Sequence, residues 1–154
     1  MKLNDLKTIA ATKIDPFKIL QDLFNRANLQ KETIRLNQRQ LFEKGINTRG
    51  TELRTYFAVA PNVYAYKTIE YKQKKGQKTD VVTLRDTGRW YNSLRLRSES
   101  DHAQIYDDGY LENTISENID VNDILGLTED NTNELKKIII PMFREQIKIN
   151  IKNG

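Results

Sequence analysis

Leu135, Ile138, Ile139, Met142, Phe143 and Ile147 return every three or four positions near the end of the chain, and a similar set recurs near its beginning. That spacing matches the 3.6-residue helical turn, so each set predicts an amphipathic helix with one apolar stripe. The hydrophobic fraction is only 38%, so these two stripes carry much of the material from which a core can be built. Thr128 is the expected N-cap of the later helix, with Glu129 and Asp130 at the positive end of its dipole. Pro141 lies inside the pattern and is expected to kink or divide that helix. At the other end, Asp15-Pro16 reads as a helix start, and Phe17, Leu20, Leu23, Phe24 and Ala27 form the stripe. Ile34, Gln38, Leu41 and Phe42 continue with similar spacing to Gly45, the expected C-cap. Whether residues 25–29 break this stretch into two helices stays open.

The middle of the chain follows different rules. Residues 46–80 have no clean period, and a connection of that length is normally functional or disordered. Tyr56, Phe57, Tyr64, Tyr66 and Tyr71 argue for order, because disordered segments are poor in aromatics. Three alternating runs follow, at residues 81–84, 90–96 and 102–106, and they predict two or three strands. Asp86-Thr87-Gly88 and Asp107-Asp108-Gly109 are the turn signals, and the first is expected to close a hairpin. Residues 110–127 are acidic and irregular. The order predicts an α+β fold: an N-terminal amphipathic helix or helix pair, a long ordered loop, a small antiparallel sheet and a C-terminal helix. The length of 154 residues fits one domain.

Charge is divided unevenly along the chain. Residues 47–98 hold eleven Lys/Arg against four Asp/Glu, whereas residues 99–154 hold five against twelve. This asymmetry fits a polyanion-facing patch, complementary surfaces on successive copies, or two solvated faces of a monomer. There is no cysteine, which excludes disulfides and thiolate metal sites, and His102 is the single histidine. No apolar run approaches the ~20 residues that span a bilayer, so no membrane partner is expected. The first residues lack a continuous apolar segment and carry Asp5 and Asp15, so no signal peptide is expected and assembly is expected inside the cell.

No constellation for catalysis emerges. Asp107 and Asp108 are neighbours that an extended chain points in opposite directions. His102 stands near Asp101 and Asp107 without a nucleophile motif, and "KKGQK" lacks the Gly-Lys-Ser/Thr of a phosphate loop. Neither enzymatic activity nor a cofactor or metal is expected. Lys67, Lys72, Lys74, Lys75 and Lys78, interleaved with Tyr66 and Tyr71, form a charged strip able to meet DNA through its phosphates. In "TLRDTGRWYNSLRLR", Asp86 and Thr87 are expected to hydrogen-bond their own turn, with Gly88 at positive φ. Leu94 and Leu96 then share a core face. Arg95 and Arg97 share the opposite one, free to contact an acidic neighbour or DNA.

Three segments together resemble the phage virion morphogenesis family, the tail-completion and head–tail joining proteins of tailed bacteriophages. The first is "NQRQLFEKGIN" followed by Arg49-Gly50. The second is "YKTIEYKQKKGQKTDVVTLRDTGRWYNSLRLR", in which Leu84, Asp86, Thr87, Gly88, Trp90 and Ser93 fall on the family's leucine, Asp-Thr-Gly and Ser pattern. The third is "DILGLTEDNTNELKKII", similar to the family's Leu-Gly-Leu opening of its last helix. The likeness runs from about Leu29 to Ile147, so residues 1–28 read as an added arm and helix and residues 29–154 as the family-like α+β domain. The chain departs at Tyr56-Phe57, where the family often has Trp. It departs again at residues 119–123, where the family usually carries Ile-Pro-x-Arg. The resemblance implies a structural role: a sixfold or twelvefold homo-oligomeric ring at the neck or tail end of a virion, assembled in the host cytoplasm. Portal, connector or tail proteins are the implied partners, with non-specific contact to genomic DNA. Lys72, Lys74, Lys75, Lys78, Arg95 and Arg97 are the expected contact residues. The alternative is a DNA-binding accessory or assembly factor that uses residues 67–78.

Overall fold

A computed structural model describes residues 14–56, 66–99, 101–109 and 119–153. Helix α1 spans Pro16–Phe24, and its Asp15 cap accepts hydrogen bonds from the Phe17 and Lys18 amides at 2.9 and 3.3 Å. Its buried residues are Ile19 and Leu23, while Phe17 is 55% exposed. Of the expected stripe, Leu23 is buried and Leu20 and Phe24 are half-buried, whereas Phe17 and Ala27 are exposed. Arg26 is extended, so the chain breaks there and α2 begins at Ala27. Helix α2, Ala27–Arg39, runs into a π-helical turn, Gln40–Lys44, that closes on Gly45 at φ 64°. Gly45 is thus the left-handed C-cap expected from its position.

Beyond the cap, Ile46 bridges Glu52, and a 3-10 turn, Leu53–Tyr56, buries Leu53 completely. Helix α3, Tyr66–Lys74, then occupies part of the stretch expected to be a loop. Periodicity does not announce it, because its buried residue is Lys72 rather than an apolar one. Of the expected ordered loop, residues 57–65 lie outside the described residues, and residues 75–80 follow the helix without regular structure.

Residues 81–84 are not a strand. Val82 and Thr83 are adjacent and both buried, which a pleated strand with one covered face does not allow. The segment instead packs irregularly against Gly45. Gly88, at φ 82°, does not close a hairpin either. It starts a short helix α4, Arg89–Ser93, in which the Asn92 amide donates to the Gly88 carbonyl at 3.0 Å. The strand expected from Trp90 accordingly begins four residues later. β1, Leu94–Ser98, pairs antiparallel with β2, Ala103–Asp107, in a register that sets Leu96 opposite Ile105 and Arg97 opposite Gln104. Leu94 and Leu96 point into the core and Arg95 and Arg97 outward, as alternation requires.

After a four-residue helix α5, Val121–Ile124, the chain ends in α6, Glu129–Asn153. Thr128 caps it, its hydroxyl accepting from the Asn131 amide at 3.3 Å. Helix α6 continues past Pro141 without dividing. Lys137 and Pro141 are both exposed, so water can satisfy the carbonyl that the proline leaves without a donor.

The fold is α+β, with a small two-stranded antiparallel sheet and a C-terminal helix. Two apolar clusters hold it together. One joins Leu41, Leu53, Val82, Trp90 and Ile124 to the inner face of the hairpin. The other joins Ile19, Leu23, Leu29 and Leu36 to Leu135 and Ile147 of α6, with Phe24 and Leu127 touching both. Helix α1 is therefore packed into the same body as α2 and α6.

Candidate interaction surface

The polar side chains inside this fold bind one segment to another. Gln40 is fully buried; its amide donates to the Gly126 carbonyl at 2.9 Å and its oxygen accepts from the Thr128 amide at 2.9 Å and from Asn131 at 3.0 Å. Asn37 donates to the carbonyls of Ile124 and Gly126 at 2.8 and 2.6 Å, and Asn131 donates to the Leu36 carbonyl at 2.9 Å. A Cβ at Gly126 would come 3.0 Å from the Thr48 methyl, a tight approach that the Thr48 side chain would have to relieve. At the edge of this network Arg39 grips both carboxylate oxygens of Glu134, at 3.2 and 2.5 Å. The Arg39 hydrogen bonds hold the Glu134 carboxyl below its ordinary range. Apart from Leu36 and Thr48, these residues come from "NQRQLFEKGIN" and from "DILGLTEDNTNELKKII".

A second knot joins Tyr56 to Asp123. The Tyr56 hydroxyl donates to Asp123 at 2.7 Å and accepts from Asn47 at 2.8 Å, while Arg49 pairs with the same Asp123 oxygen at 2.5 Å. The Thr48 amide donates to the Asp123 carbonyl at 2.8 Å. Tyr56 and Asp123 are thus each other's partners across 67 residues. Sequence reasoning missed the pair because nothing local marks it.

The basic segment is reorganised relative to expectation. Lys72 is only 5% exposed, and its ammonium donates to Thr83 Oγ1 at 3.1 Å, the Arg85 carbonyl at 2.9 Å and Gln77 Oε1 at 3.3 Å. It pins α3 to the following segment and is withdrawn from any outer contact surface. Asp86 does not close its own turn. Its carboxylate accepts from Tyr71 and Lys75, each at 2.9 Å, and its carbonyl accepts from Gln77 at 2.8 Å. Thr87 keeps the local role, its hydroxyl accepting from the Arg89 amide at 3.3 Å. Lys75 also lies over the Tyr71 ring, 3.9 Å from its centre. Hydrogen bonds from Lys75 and then Tyr71 hold the Asp86 carboxyl below its usual value. Leu84 is half-buried against the hairpin core, and Trp90 belongs to that core. The Trp90 Nε1 is buried without a hydrogen-bond partner among the described residues, while Ser93 donates to the Trp90 carbonyl at 2.6 Å.

On the outer face of the hairpin each arginine is met from within the chain. Arg95 donates to the carbonyls of Asn92 and Leu94 and stands 3.4 Å from Asp108. Arg97 donates to Gln104 and pairs with Glu99 at 3.2 Å. Arg85 stacks on the Phe42 ring at 4.2 Å, and Lys78 donates to the Glu43 carbonyl at 3.0 Å. Lys67, Lys74 and Arg89 stay exposed, and none has an ion pair among the described residues.

His102 sits at the hairpin tip, with Nδ1 2.7 Å from Asp101 and Nε2 3.5 Å from Glu99. The Asp101 hydrogen bond raises the imidazole above its ordinary value. The raised value makes this pair's contribution full below the ordinary imidazole range and lost as pH rises through the folded value. Asp101→Asn should lower the His102 titration midpoint in an NMR pH series; an unchanged midpoint would remove Asp101 as the cause. Behind the hairpin, Phe24, Leu96, Ile105, Leu127 and Leu135 line an open pocket of about 380 Å³. Among the described residues no cluster of three or more His, Asp and Glu is placed to hold a metal ion, and no helix is long and apolar enough to cross a membrane.

No protein family, curated protein or solved structure matches this chain.

Proposed function

We propose that this chain is a structural subunit of a tailed-bacteriophage virion, assembling into a ring at the head–tail junction or tail end that completes the passage for DNA. The observation that carries this reading is the meeting of the three family-like segments in one interlocked unit. Gln40 and Asn37 of the first bind Gly126 and Thr128 of the third. Gln38 and Phe42 of the first meet Tyr91 of the second, by a hydrogen bond at 2.9 Å and a ring contact at 4.8 Å.

Two further features suit a subunit that works by assembly. The basic middle and acidic later part of the chain pair in part within one copy, through Arg49–Asp123, Arg95–Asp108 and Arg97–Glu99, and the charges left exposed are available to successive copies in a closed ring of head-to-tail contacts. Helix α6 also leaves Ile138, Ile140 and Ile149 exposed, apolar surface that a neighbour can cover. Portal, connector or tail proteins are the partners, and the virion neck or tail is the location.

Native mass spectrometry and electron microscopy of the full chain test this reading. Closed annuli of one copy number, sixfold or twelvefold, are the expected result, together with a symmetric collar in purified particles. A chain that stays monomeric at all concentrations and is missing from virions would sink it.

A further inference from the structure

We propose that helix α3 and the loop after it bind the phosphate backbone of duplex DNA without regard to base sequence. Residues four and seven steps apart share one helix face, which puts Lys67, Tyr71 and Lys74 in a row along α3. Lys67 and Lys74 are exposed and make no ion pair with a described residue. Lys75 lies beside the row, where Asp86 and the Tyr71 ring hold its position while 33% of its side chain stays accessible. The opposite side of the helix is occupied by Lys72, which is bound to Thr83 and Arg85. The cations left outside therefore gather on one side. Tyr66 opens the helix at 75% exposure and offers a hydroxyl donor of the kind that phosphate oxygens accept.

The spacing suits a nucleic-acid strand. Lys67 and Lys74 are separated by about 10 Å of helix rise. One strand of duplex DNA presents a phosphate about every 3.4 Å of axis. Laid parallel to the duplex axis, α3 covers roughly three such steps of one strand, and Lys67, Lys74 and Lys75 are the outward lysines available to meet phosphates there. Glu70 stands beside the row, also exposed, and opposes binding. This inference goes beyond the assembly reading, because a monomer with this surface binds DNA equally well.

The test is fluorescence anisotropy of the full chain on a labelled mixed-sequence duplex across a salt series. Three phosphate contacts predict a log–log salt slope of about −2.7, and the double variant Lys67→Ala with Lys74→Ala should bring it to about −0.9. Affinity at low salt should fall at least about tenfold in that variant and rise in Glu70→Gln. Lys136→Ala with Lys137→Ala, an equal charge change on exposed positions of α6, should leave the slope unchanged. Circular dichroism confirms that each variant is folded. Equal losses from both lysine pairs, which would indicate net charge alone, would overturn the proposal. So would binding that ignores salt, or no binding at low salt.

Discussion

Gly45→Val should cost about 3–5 kcal/mol of folding stability, a large share of the ~5–15 kcal/mol that holds an ordinary domain together. Two effects add. Gly45 sits at φ 64°, where a β-branched residue is strained. A Cβ there would also stand 2.7 Å from the Val82 carbonyl oxygen and 3.0 Å from the Val81 Cβ. The first of these is backbone and cannot rotate away. Relief requires residues 81–82 to retreat, which pulls Val82 out of the cluster it shares with Leu53 and Trp90. Gly88→Val provides the contrast. Gly88 has an equally positive φ of 82°, but the nearest atom to its Cβ position is Asn92 Nδ2 at 4.0 Å. That variant carries the backbone strain alone, about 1–3 kcal/mol. Denaturant unfolding of the two chains decides the matter. Equal losses would mean that the approach of residues 81–82 to the helix end does not matter.

The same contrast shows what was legible beforehand. Asp15, Gly45 and Thr128 follow rules that need only a few neighbours, and each caps the helix end its position implied. The alternation of Leu94 to Arg97 was equally local, and its faces lie as expected. Helix α3 was hidden because its inward residue is a lysine that makes polar contacts with residues 77, 83 and 85. Residues 81–84 alternate like a strand, but their packing against Gly45 buries neighbours on both sides of the chain. Asp86 looked like a turn residue because Asp usually is one. Its actual partners, Tyr71 and Lys75, stand 15 and 11 residues away in sequence, on α3 and just past its end. Of the expected contact residues, Lys74 remains on the outside, Lys72 is internal, and Arg95 and Arg97 are engaged by their own hairpin. Buried Asn37, Gln40 and Asn131 are ordinary polar residues by spacing. Only contacts across 86 to 95 residues reveal them as the joint between α2 and α6.

That joint predicts the second large loss. Gln40→Leu should destabilise the fold by about 2–4 kcal/mol although the volume hardly changes. The three contacts removed are not equal. Gly126 keeps its bond from Asn37, and Asn131 keeps its bond to Leu36. The Thr128 amide, buried at the start of α6, has no other acceptor among the described residues and is left unpaired. A buried orphan donor costs about 1–3 kcal/mol by itself, and the loosened α2–α6 joint adds to it. Gln40→Glu separates hydrogen bonding from packing. A protonated glutamic acid can still donate to Gly126 and accept from Thr128, whereas the carboxylate repels the carbonyl and is a buried charge. Burial raises the folded pKa above the ~4.3 of an unfolded glutamate. The sign then follows: the variant keeps its stability below that value and loses it as pH rises towards the folded pKa, by about 1.4 kcal/mol per unit of separation. Chemical denaturation at pH 4 and pH 7, set against the parent chain at both, measures this directly. A Gln40→Glu chain whose deficit is the same at the two pH values would show that Gln40 does not hold the joint by donating to Gly126.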